Sequence, residues 1–224
     1  MQYTQIEKPS LAEAAANALR ALITDGKLPD GQRINEVHLS AQLGISRTPL
    51  REALSLLVAE GSVENRPRIG FFVKPLSIEE FTQIYDLRPI LDPAALKMAG
   101  LPTPSQLSKL ETLNSKFGKT KNAEEAILID DQFHLELLAH CPNRVIIELI
   151  EGFMRRTRRY ELALMRETKR INFAQVLHDD IIVALKSRQL KTACLALEEN
   201  MRHGRDPIIA WLEERNHKTK VSKK

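Results

Sequence analysis

Between residues 47 and 59 the apolar positions Leu50, Ala53, Leu54 and Leu57 fall at i, i+3, i+4 and i+7, the period of one buried helix face. Gly44 and Ser46 just before them, with Pro49 in the first turn, mark where that helix starts, because the earliest helical amides have no intrahelical acceptor to lose. Ser46 is expected to cap it. Upstream, EVHLSAQL reads as a short helix opened by Asn35 and ended by Gly44. The capping box Ser10-Leu11-Ala12-Glu13 opens an earlier helix that stops near Gly26, and Leu28-Pro29-Asp30-Gly31 is a turn. After Gly61 the pattern changes: SVEN and GFFV flank the bend RPRI and predict a hairpin. Pro75 and a second capping box, Ser77-Ile78-Glu79-Glu80, mark a boundary, and from there to about Glu214 every signal is helical. Breaks near Gly100–Pro104, Gly118–Asn122, Cys141–Asn143, Thr168–Asn172 and Lys186–Gln189 divide that stretch into about six helices. The expected fold is mainly α: residues 1–75 as a small helical unit with a hairpin, 76–214 as an all-α bundle, and 215–224 as a basic, solvated tail.

Charge matters here by placement. The formal net charge is +4, but residues 1–75 hold nine Lys/Arg against eight Asp/Glu, while the last ten residues hold five cations and no acid. The informative cations are those at the start of the 47–59 helix. Arg47, Thr48 and Arg51 sit where the helix dipole favours acids, and the period leaves them, with Ser55, opposite the apolar face. A short helix, a glycine turn and a second helix with an exposed cationic first turn form a helix-turn-helix, whose second helix enters the DNA major groove. Arginine suits that task because its planar fork grips the two acceptors of guanine or a phosphate. Arg66 and Arg68 at the hairpin bend then read as a wing that reaches the backbone or minor groove. No run approaches the length of a membrane span, and MQYTQIEKPS lacks the apolar core of a secretory signal. Cys141 and Cys194 are far apart and form no CxxC, which fits a reducing cytoplasm.

In the helical stretch, Asp130 and His134 stand four residues apart on one helix face, and His178 lies in a later helix among Val176, Leu177, Ile181 and Ile182. A carboxylate and imidazoles so placed suit a metal ion, although the same spacing also describes a surface hydrogen bond and a satisfied core histidine. A metal-dependent enzyme is the rival use of these residues. The chain has no nucleophile motif and no glycine-rich phosphate loop, and its one Glu-x-x-His, Glu214–His217, falls at the edge of the basic tail.

Residues 10–75 resemble the winged helix-turn-helix domain of the GntR family of bacterial transcription regulators. The matching residues are Leu28-Pro-Asp-Gly31, Asn35-Glu36, Leu43-Gly-Ile-Ser-Arg-Thr-Pro-Leu-Arg-Glu-Ala-Leu54, Glu60-Gly61 and Arg66-Pro-Arg-Ile-Gly70. The helical remainder resembles the FCD ligand-binding domain of the FadR subfamily. The resemblance implies that Ser46, Arg47, Thr48 and Arg51 contact DNA, with Arg66, Arg68 and Gly70 in the wing. It further implies a cytoplasmic homodimer on a palindromic operator, not an enzyme, whose helical domain senses a small carboxylate. By the same resemblance a divalent metal (zinc, nickel or manganese) is held by Asp130, His134 and His178. The family's fourth ligand position falls on Asn200 here, with His203 as the alternative. Arg88, in YDLRPIL, matches an arginine of that domain's first helix, where a buried guanidinium can pair with an effector carboxylate; an internal salt bridge to a helix acid is its other reading.

Overall fold

A computed structural model of the chain describes residues 11–168 and 175–221, with side chains as far as His217 in the last helix. Ser10, the break expected over 169–172 and residues 222–224 of the basic tail lie outside the described residues. The chain is mainly α and divides into two compact units, Met1–Leu76 and Ser77–Lys224.

The first unit contains α1 (Leu11–Thr24), α2 (Glu36–Leu43), α3 (Arg47–Ala59), β1 (Val63–Arg66) and β2 (Gly70–Val73). Leu50, Ala53, Leu54 and Leu57 of α3 are fully buried, as their spacing predicts, against Ala15, Ala16 and Leu19 of α1. Arg20 of α1 clamps Glu60 at the end of α3 through Nε (2.8 Å) and Nη2 (2.6 Å). Asn35 caps α2 by accepting from the His38 amide (3.1 Å), and Gly44 ends it in the left-handed region at φ 65°. The antiparallel hairpin pairs Val63 with Val73 and Arg66 with Gly70, so its first strand is VENR, one residue later than the sequence suggests. Residues 32–34 extend the sheet: Ile34 donates to the Phe71 carbonyl (2.8 Å) and Val73 to the Gln32 carbonyl (2.9 Å).

The second unit is a bundle of six helices among the described residues: α4 (Ile78–Ala99), α5 (Pro104–Lys119), α6 (Ala123–Leu137), α7 (Arg144–Thr168), α8 (Gln175–Lys186) and α9 (Leu190–Val221). Its largest fully buried side chains include Phe81, Phe117, Phe133 and Tyr160, each contributing about 1.5–3 kcal/mol by leaving water. Ser77 caps α4 by accepting from the Glu80 amide (3.2 Å). Its own N–H donates to Tyr160 Oη (3.1 Å), which donates to Glu80 Oε2 (3.2 Å), so a tyrosine from α7 is inserted into the expected capping box. Pro89 and Pro93 inside α4 and Pro207 inside α9 each remove one N–H from the helical ladder, and α4 and α9 continue through them, packed on each other. The last helix runs past the expected end near Glu214 as far as Val221. No glycine or proline follows Pro207, and the Arg215 guanidinium lies 5.4 Å from the Trp211 ring, one turn back.

Candidate nucleic-acid interface and candidate effector pocket

In the first unit the elements around α3 present cations to solvent. Arg47, Thr48, Arg51 and Ser55 are all exposed on α3. Ser46 occupies the cap position with extended backbone (φ −74°, ψ 168°), but its side chain makes no capping hydrogen bond, contrary to expectation. The reason is local. A cap accepts from the second or third amide of the helix, and the third residue here is Pro49, which has none. The Ser46 hydroxyl is therefore exposed and not engaged by its own helix.

Arg47, Arg51 and Gly70 line one cleft together with Arg33, Asn35 and Glu36, so the start of α3, the start of α2 and the wing meet there. Arg51 Nε lies 3.5 Å from Glu36 Oε2, and the Arg51 side chain is 63% exposed. Thr48 instead faces a second cleft, shared with Arg51 and Ser55 and floored by α1. At the hairpin tip Arg66 pairs with Glu64 and covers the Phe72 ring at 4.0 Å. Arg68 stands in the left-handed region (φ 64°) at the turn closed by Ile69 N–H to the Arg66 carbonyl (3.0 Å). Gly70, at φ 114°, has a backbone conformation that only glycine adopts easily. Arg33 was not singled out by the sequence; the only signal available was a cation two residues before a capped helix.

In the second unit, three helices bring the predicted ligand residues together at one small cavity, lined by Asp130, His134 and Asn200. Asp130 and His134 come from α6, His178 from α8 and Asn200 from α9. One ligand atom each of Asp130, His134 and His178 lies within 4.8 Å of the others. Asp130 Oδ2 is 3.8 Å from His134 Nε2, and Asp130 Oδ1 is 3.3 Å from His178 Nε2. His178 is fully buried, with its ring stacked on Phe133 (4.0 Å between centroids), yet neither ring nitrogen makes a hydrogen bond. With only the Asp130 carboxylate beside Nε2, this buried imidazole is under-satisfied, and a metal ion is one partner that removes that cost. Burial pushes His134 down to about 3 against the opposing Asp130 charge, so its ring is neutral, as ligation requires. Burial opposes the charge on Asp130, but His134, His178 and Arg88 outweigh it and hold the carboxyl below its usual range. The residues fit a divalent cation. Asn200, 4% exposed, lines the cavity, whereas the His203 side chain is 57% exposed and pairs with Glu199 (3.0 Å).

Arg88 also lines this cavity, and its Nη2 donates to Asp92 Oδ1 (2.8 Å), so the internal salt bridge is formed. Burial works against both charges of that pair, and Arg88 Nε and Asp92 Oδ2 remain without hydrogen bonds. Two further lining residues escaped the sequence reading: Tyr85 of α4 and Glu161 of α7, joined by Tyr85 Oη donating to Glu161 Oε1 (3.1 Å). Burial and the nearby Asp131 and Asp130 raise the Glu161 carboxyl to about 7.

Residues 11–73 match the gntR family of bacterial regulatory proteins, and residues 83–203 match the FCD domain. The chain is 31% identical over 169 residues to the Nta operon transcriptional regulator of Aminobacter aminovorans, covering 74% of this chain and 79% of that protein. It is 25% identical over 219 residues to the gluconate operon transcriptional repressor of Bacillus subtilis, covering 93% and 90% respectively. The solved structure of E. coli McbR/YncC superposes with a TM-score of 0.73 at 26% identity, covering 92% of this chain and 99% of that one.

Proposed function

This chain belongs to the gntR family of bacterial regulatory proteins, as a DNA-binding transcription regulator with an FCD domain, and from that premise we propose how its two sites work. Arg47 and Arg51 read base edges or grip phosphates in the major groove, with Ser46 and Thr48 as neighbouring hydroxyl contacts. Arg66, Arg68 and Gly70 form the wing against the adjacent backbone. The observation that carries this reading is the exposed first turn of α3, with two arginines, no acid and a cap hydroxyl that its own helix does not use. Binding is tested by titrating labelled genomic fragments at rising salt: a steep loss of affinity is expected, and binding indifferent to salt counts against it.

The second unit senses a small organic acid. Asp130, His134 and His178, completed by Asn200, hold a divalent metal, and the metal supplies a positive charge for an anionic group of the effector. Arg88 lies on the same cavity wall. An amide oxygen in place of an imidazole favours manganese over zinc or nickel, which prefer nitrogen. The unbonded His178 ring is the supporting observation. Metal analysis of the parent and of His134→Ala and His178→Ala, each dialysed against zinc, nickel and manganese, checks it; a parent that retains none of the three sinks the metal. Its families and relatives are transcription regulators, so the cluster is a sensor's and not a catalytic centre. Effector occupancy changes operator affinity by population shift. The working form is a cytoplasmic homodimer on a palindromic operator, and no helix of the described residues is long and apolar enough to cross a membrane.

A further inference from the structure

We propose that Glu161 makes this cavity selective for acids bearing a hydrogen-bond donor, a hydroxyl or an ammonium, on the carbon next to the carboxylate; this rests on the effector reading above. The cavity is small, about 50 Å³, and its lining is unbalanced in charge. Asp130 and Glu161 both face it, while the one lining guanidinium, Arg88, is already bonded to Asp92. Asp130 is used by the metal site, together with both imidazoles. Glu161 is not. Its Oε1 accepts from Tyr85 Oη, and Oε2 has no hydrogen bond or ion pair among the described residues.

An acid without a donor brings its carboxylate into a narrow space beside this acceptor and offers Glu161 nothing in return. A 2-hydroxy or 2-amino acid turns its carboxylate toward the metal side and its donor toward Glu161 Oε2. The plain analogue leaves this half-buried acceptor without the partner that a donor-bearing acid supplies, and unpaired polar groups in a site are a source of discrimination.

The test is calorimetry at pH 8, where the Glu161 carboxyl is mainly ionised, on the full-length chain equilibrated with manganese. Glycolate is compared with acetate, lactate with propionate, and alanine serves as the ammonium counterpart of lactate. The parent is expected to favour each donor-bearing acid about tenfold or more over its plain analogue, the scale of one hydrogen bond to a charged acceptor. In Glu161→Gln that ratio should fall several-fold, because an amide accepts weakly and no longer repels the plain acid. Tyr85→Phe, which keeps the carboxylate, should retain the ratio, and it provides a second variant should Glu161→Gln fold poorly. Equal affinities within each pair, a ratio that survives Glu161→Gln, or a ratio lost in Tyr85→Phe overturns the selectivity while leaving the effector reading in place. Failure of all five compounds to bind rejects acids of this size as effectors, and the selectivity with them.

Discussion

Glu161 is a single carboxyl whose environment makes a prediction about stability. Its value of about 7 stands above the ordinary 4.5, because burial and two neighbouring aspartates penalise the charge. The folded chain therefore holds this proton better than the unfolded one. The resulting stabilisation is complete below about pH 4.5 and is lost as pH rises through about 7. Metal-free parent and Glu161→Gln should be similar near pH 5, and by pH 8 the variant should lead by about 2–3 kcal/mol. Urea denaturation at a series of pH values reads this gap directly. The opposite contribution of His134 is present in both proteins and cancels. A gap that stays constant across the range would contradict the account. At the other site, removing Arg47 or Arg51 should cost about 1–3 kcal/mol of specific DNA binding, measured by anisotropy on an operator fragment. If both alanine variants bind like the parent, α3 is not the reading helix.

Elements show where local preference and function disagree. The wing turn has Pro67 in its second position and Arg68 in its third, and Arg68 is left-handed at φ 64°. Glycine or asparagine suits that position, and another residue there costs about 1–2 kcal/mol. A strained arginine at the tip of a hairpin points to a use for its side chain. Arg68→Gly is therefore expected to leave the melting temperature unchanged or slightly raised while weakening DNA binding, and a variant that binds fully would remove the wing contact. The start of α3 has the same character: Pro49 deletes the amide that Ser46 would cap, so the hydroxyl is left for another partner.

The whole molecule is expected to self-associate. One face of α4 carries Leu87 (44% exposed), Ile90 (63%) and Met98 (47%), spaced i, i+3 and i+11, so they form one apolar stripe. A second copy of the chain, as in the homodimer proposed above, is the occupant expected there. Light scattering of the full-length protein should give a dimer at micromolar concentration, and Ile90→Arg should shift it toward monomer. The parent should protect a palindrome with half-sites roughly one helical turn apart. A parent that is monomeric, or an Ile90→Arg variant that remains fully dimeric, rejects this face.

Much of this protein is legible in one dimension because the relevant forces act within a few residues. The apolar period of α3, the Asn35 and Ser77 caps, the Gly44 stop and the hairpin all follow from contacts between near neighbours, so the mainly helical architecture and the helix-turn-helix pattern can be deduced without coordinates. Asp130 and His134 are visible as a pair for the same reason, being one helical turn apart. The pocket was not legible in full. Glu161, in the stretch YELALMRE, looks like an ordinary surface acid, and Tyr85 lies 76 residues away; only the packing of α4 against α7 turns that acid inward. Packing also separates Asn200 from His203, which sit about one turn apart on α9, by burying the first and leaving the second in solvent. Helical periodicity tells which residues share a face, but whether a neighbouring helix covers that face depends on chain segments far away in sequence, and burial is what gives these groups their chemistry.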